Sequence, residues 1–274
     1  MTATITVPDM RCVARECLAR ARNLLAKGDE PSVRYACLEL RLTIEYITYD
    51  QLLAYLKEVP NDALKKWQPR HVISEMREVD PHADQSVSLA VGIEHTYGVP
   101  PPGEEMQMLG QDRRFSRKWA NDNHNALGNF LHALTIHQIE SGKTSNLAGM
   151  IKRAAAVADE CEAILTSPIF RVNFGQFFEF QCQDCGEQIQ RRAGSFTAEG
   201  GVKCPITNCQ AVYDVEPGKG NEIIVHLRQV KYPCPSCDAE NFVGKHRVLN
   251  GATAGCAKCG KTVRFKQGFS VEQV

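Results

Sequence analysis

The chain has 274 residues, enough for one large domain or two modest ones, each able to bury a core. Its 43% hydrophobic and 23% charged composition excludes wholesale disorder and fibrous repeats. The 32 basic and 32 acidic residues cancel, so no global field draws the chain to nucleic acid or acidic lipid. No apolar run reaches membrane-spanning length, and the first dozen residues lack the apolar stretch of an export signal. The expectation is a cytoplasmic protein with no membrane partner.

The first 170 residues read as helical. Arg15 to Lys27 places Cys17, Leu18, Ala21, Leu24 and Leu25 at helical spacing, and Gly28-Asp29 stops it. A second helix opens at Pro31-Ser32 and runs to about Lys57 on an apolar set that includes Cys37, Leu40, Ile44 and Ile47. Cys17 and Cys37 therefore read as core residues. Pro60, Pro69 and Pro81 cut the next stretch into short pieces, and Val99-Pro100-Pro101-Pro102-Gly103 is a break. Helical pattern returns from about Asp112 to Glu140 and from Ser145 to Leu165.

One helix in this region carries a candidate site. At about 100° per residue, Arg117, Asn121 and His124 fall on one stripe, with Phe115, Trp119, Ala126 and Phe130 opposite. The pattern predicts that Arg117 and His124 project together into solvent or toward a partner subunit. His132 lies at the stripe's edge and reads as a surface histidine, while His137 falls on the core side. The asparagine-rich run Asn121-Asp122-Asn123-His124-Asn125 is a poor helix former, which hints at a role other than folding.

Ala21-Arg22-Asn23-Leu24-Leu25-Ala26-Lys27-Gly28-Asp29, the long helix with Tyr35-Ala36 and Glu39, and Arg117 followed after six residues by His124 together resemble the HEPN superfamily of helical bundles. The likeness covers roughly residues 10–165, with additional chain at 60–110. Lys118 departs from the small polar residue common after the family's arginine. The resemblance implies a homodimer through the helical domain and metal-independent RNA cleavage, as in a toxin or antiphage effector. His124 would move the ribose 2′-hydroxyl proton, Arg117 would stabilise charge on the phosphate, and Asn121 would orient either.

The cysteines give the second signal. Eight of the twelve form four close pairs: Cys182/Cys185, Cys204/Cys209, Cys234/Cys237 and Cys256/Cys259. Cys182, Cys185 and Cys204 map onto Cys234, Cys237 and Cys256 with a constant offset of 52, so one four-cysteine module is duplicated. Without an export signal, such pairs read as metal ligands before disulfides. Two structural zinc ions per chain are expected, with iron as the alternative metal. The pattern resembles tandem zinc ribbons over about 175–268.

The fold expected is therefore α+β: a helical bundle over 1–170, a first ribbon over 171–227 and a second over 228–274. Segment 228–266 carries a formal charge of +6, or +4 with a zinc–tetrathiolate, whereas 171–227 is net acidic. Nucleic-acid contact is accordingly expected from Lys245, Arg247, Lys258, Lys261 and Arg264, with Lys118 beside the helical site. Two functions follow. One is a HEPN-like ribonuclease with recruiting ribbons; the other is a non-catalytic helical dimer whose ribbons bind nucleic acid or a protein partner.

Overall fold

The structure is a computed structural model that describes residues 8–142, 144–193, 201–219 and 222–266. Its backbone contacts divide the chain into two units. One runs as far as Phe174 without Pro60–Asp62; the other holds those three residues and everything from Gly175 on.

Two aspartates start the helical unit. Asp9 accepts from the backbone N–H groups of Arg11 and Cys12 and caps α1 (Met10–Leu25). Asp29 accepts from Ser32 N at 2.9 Å and caps α2 (Glu30–Leu52), with Pro31 in its first turn. Gly28, at φ 74°, takes the left-handed turn that lets the chain double back between them. α1 thus begins at Met10 rather than Arg15, and α2 ends at Leu52 before a short 3-10 turn. The bundle is completed by α3 (Pro69–Val79), α4 (Arg117–Asn129), α5 (Ile136–Glu140) and α6 (Leu147–Leu165).

Leu40, Ile44 and Ile47 of α2, Ile73 and Met76 of α3, Leu127 of α4 and Ile164 of α6 are buried in one core, joined by Cys37 and Cys161. Cys17 is buried as well. Each such aliphatic side chain contributes roughly 1.5–3 kcal/mol of burial free energy.

Two features differ from the sequence pattern. The helical stretch expected over 112–140 is two helices, because α4 stops at Asn129 and a Thr135/Gln138 capping box starts α5 afresh. His137, expected on a core face, is exposed on that short helix. Residues 87–112 fold as an antiparallel hairpin, β1 (Val87–Val91) with β2 (Gln107–Asp112), whose register shifts at Leu89/Ala90.

A buried polar network holds the end of this unit. Arg114 donates to Asp112 at 2.6 Å, to Tyr55 Oη at 3.1 Å and to the Ala83 carbonyl at 2.8 Å. The chain leaving α6 threads into the same network: Val172 N donates to Asp112 at 2.9 Å, and Arg171 pairs with Asp50. Asn173 donates to Glu58 and to the Ala54 carbonyl, both at 2.7 Å.

The second unit is built from short antiparallel strands, so the chain is α+β. The first ribbon contains the hairpin β3 (Phe177–Gln181)–β4 (Gln188–Arg192) and a three-stranded sheet of β5 (Val202–Lys203), β6 (Val212–Pro217) and β7 (Ile223–Leu227). β7 pairs with β6 and closes the first ribbon; β8 (Gln229–Pro233) is the strand that enters Cys234. The second ribbon is completed by β9 (Glu240–Gly244), β10 (Thr253–Gly255) and β11 (Thr262–Arg264), in hairpins β8–β9 and β10–β11.

Candidate metal centres

Each ribbon brings its two knuckles face to face. In the first, Cys182 Sγ lies 3.6 Å from Cys209 Sγ, and Cys185 Sγ 3.6 Å from Cys204 Sγ. In the second, Cys234–Cys259 and Cys237–Cys256 are both 3.7 Å apart. Within each quartet all sulfurs lie within 4.8 Å of one another. A tetrahedron with Zn–S bonds of about 2.3 Å has edges of about 3.8 Å, so the sulfurs stand where one zinc per ribbon needs them. A disulfide would draw two of them to about 2.05 Å, and none is so placed. The duplicated four-thiolate sites fit two structural zincs.

The surroundings prepare the sulfurs for a cation. Burial pushes the Cys182 thiol up, but the Tyr213 hydroxyl, 3.2 Å away, and the knuckle N–H groups of Cys185 and Asp184 pull it down to about 7. The Cys259 N–H, helped by that of Lys258, lowers Cys256 to about 6. Burial drives Cys204 the other way. Hydrogen bonds to Cys182 and Cys256 thus favour the thiolate form that a metal ion takes. Asn241 adds an amide contact to Cys256 Sγ at 3.6 Å while its Oδ1 accepts from Ala257 N at 2.9 Å. Sequence reasoning missed Tyr213 and Asn241 because neither residue type belongs to a ligand pattern.

The helical candidate site is arranged differently from its expectation. α4 is unbroken, as a shared stripe requires, but its buried face is Ala120, Asn123, His124, Leu127 and Gly128. His124 is 4% exposed, and its Nε2 shares a hydrogen bond of 2.8 Å with Glu45 Oε1 of α2. Arg117 is exposed in the first turn, and Asn121 contacts its neighbours Asp122 and Asn125. The three residues proposed for catalysis do not form one outward site. The phase read from Phe115, Trp119, Ala126 and Phe130 misplaces the core because the true inner face holds polar residues with partners. Asn123 is met by Arg153 at 3.1 Å and by the Trp119 carbonyl at 2.9 Å. Arg41 lies over Gly128, where an added Cβ would fall 1.9 Å from Nη1, and donates to the His124 carbonyl at 2.9 Å. Arg41, Glu45 and Arg153 escaped the sequence reading since no local pattern ties them to α4.

Of the expected nucleic-acid contacts, Lys118 pairs with Asp122 at 2.5 Å and Arg247 with Asp184 at 3.1 Å. Lys245, Lys258, Lys261 and Arg264 are exposed and have no carboxylate partner among the described residues; Lys266 is the same. No protein-family model, curated protein or solved structure matches this chain. Among the described residues, no helix is long and apolar enough to cross a membrane.

Proposed function

We propose that this chain is a two-zinc adaptor whose second ribbon binds nucleic acid through the phosphate backbone. The observation that carries this reading is the set of five exposed cations, Lys245, Lys258, Lys261, Arg264 and Lys266, left without carboxylate partners among the described residues. Of the two acids among the ribbon's described residues, Asp238 and Glu240, the second is already engaged by Lys231 at 2.5 Å. When bound, zinc supplies the cross-link that holds these short strands in place. A fixed array of cations suits a polyanion, and each phosphate neutralised releases counterions.

The cleavage reading has less to stand on. A proton-transfer group must reach substrate, and His124 is buried beside Glu45. The test is binding of the full chain to single- and double-stranded RNA and DNA across a salt series, with EDTA-free buffer and RNA integrity followed in parallel. The adaptor reading expects affinity to fall steeply with salt while the RNA stays intact. A flat salt response, or no binding, overturns it and favours a protein-docking ribbon. Cleavage that His124→Ala abolishes would restore the nuclease.

A further inference from the structure

The hairpin Val87–Asp112 is the most exposed apolar feature of the helical unit. From Val91 to Leu109 every residue except Pro101 is exposed. Ile93 is 75% exposed, Tyr97 100% and Met108 64%, with Val91, Val99 and Leu109 also open to solvent. Together these residues expose on the order of 700 Å², an amount similar to one partner's share of a standard interface. The feature is not a loose loop. Its tip is tied by the Thr96–Val99 bridge, the His95–Glu105 pair at 2.9 Å and a bond from Gly98 N to Glu94.

Its β1 edge is open too, whereas Ser167 covers part of the β2 edge by donating to the Gln111 carbonyl. Among the described strands, β1 and β2 pair with each other alone, and a two-stranded ribbon is marginal in water unless something covers it. The β2 edge is broken by the register shift and by Gly110 at φ 143°. The β1 edge, Val-Ser-Leu-Ala-Val, has no charge, proline or glycine to discourage pairing.

Charge then selects the occupant. Residues 87–112 contain no lysine or arginine, and their tip carries Glu94, Glu104 and Glu105. Arg117 lies at the foot of the arm, where its backbone N–H donates to Asp84 at 2.8 Å. Neither the Arg117 guanidinium nor Glu104 has an ionic partner among the described residues. Antiparallel pairing about a two-fold axis sends the two acidic tips to opposite ends and sets each beside the other copy's foot.

We infer that the arm mates with the arm of a second copy along the β1 edges, making a four-stranded antiparallel sheet in which Glu104 of each copy faces Arg117 of the other. This inference does not depend on the nucleic-acid reading. It also gives Arg117, which the sequence singled out, an association role.

The test is sedimentation equilibrium of the full chain over a concentration series. Wild type should be a reversible dimer, and Val91→Lys or Ile93→Glu should raise the dissociation constant by roughly a hundredfold. Both positions are exposed, so the circular dichroism spectrum and metal content should be unchanged. Arg117→Glu and Glu104→Arg should each weaken association about tenfold, and the double exchange should recover most of that loss. A wild-type monomer at every concentration overturns the inference, as does a dimer indifferent to Val91→Lys and Ile93→Glu. A double exchange no tighter than the single variants overturns the two-fold tip-to-foot arrangement.

Discussion

His124 and Glu45 share a 2.8 Å hydrogen bond across the α2–α4 contact, 79 positions apart in the chain and both largely withdrawn from water. The pair lets a polar position be buried on the inner face of α4 beside the core residues Ala120 and Leu127. Burying an imidazole without a partner would cost about 1–3 kcal/mol, and Glu45 removes that penalty. His124→Ala is accordingly expected to destabilise the helical unit by roughly 1–3 kcal/mol in urea unfolding, because Glu45 is then left partly buried and alone. An unchanged midpoint would show that the pair contributes nothing.

Arg114 and Asp112 form a second buried pair, with side chains 2% and 4% exposed. Removing one member strands the other. Arg114→Leu should cost about 3–5 kcal/mol, and the double replacement Asp112→Leu/Arg114→Leu should recover part of it. Val172 N also donates to Asp112, so recovery should fall short of wild type. Equal losses in the single and double variants would refute the coupling.

Tyr55 donates to Asp80 at 2.9 Å, and burial pushes its hydroxyl up to about 12 although Arg114 opposes this. The unfolded chain ionises this tyrosine near pH 10, so between about pH 10 and 12 it releases a proton that the folded protein keeps. Tyr55 should therefore make stability fall with rising pH across that window, by up to about 1.4 kcal/mol per pH unit. Urea unfolding of wild type and Tyr55→Phe from pH 9 to 12 isolates its part. The variant should show the shallower decline, and identical slopes would contradict the assignment.

The metal content is directly measurable. Elemental analysis should return two zincs per chain; red iron–thiolate absorption in the protein as purified would replace zinc by iron at these sites. The ribbons should differ in their dependence on the ion. The first has a buried cluster of Ile189, Val202, Ala211 and Tyr213, with Phe178 and Phe180 packed on it. Among the described residues of the second, the buried apolar side chains are those of Cys234 and Cys256. Cys256→Ser should thus expose the amides of β8–β11 to hydrogen exchange, while Cys204→Ser should leave part of the first ribbon protected. Equal loss of protection would mean that the apolar cluster adds little.

On the second ribbon, Lys258→Ala, Lys261→Ala and Arg264→Ala should each weaken nucleic-acid binding evenly across sequences and lower the salt slope by about one. Lys231→Ala should matter less, since Lys231 is already paired with Glu240. Slopes unaffected by all three would remove phosphate contact from this face.

The metal centres were legible in the sequence because their chemistry is local. Two cysteines separated by two or four residues can face one ion, and the 18 residues between knuckles suffice for a turn that brings the second pair opposite the first. The stop of the first helix at Gly28-Asp29 is readable for the same reason, although the capping of α2 by Asp29 is seen only in the structure. Which side of α4 faces inward was not. Apolar spacing fixes a buried face only where burial and hydrophobicity coincide, and here Asn123, His124 and Gly128 are enclosed by Arg153, Glu45 and Arg41 from other helices. Nor could composition show that the apolar residues of 91–109 stand in solvent. The ligand spacing was thus written in the chain itself, while burial of polar groups and exposure of apolar ones were decided by partners that only the folded backbone brings within reach.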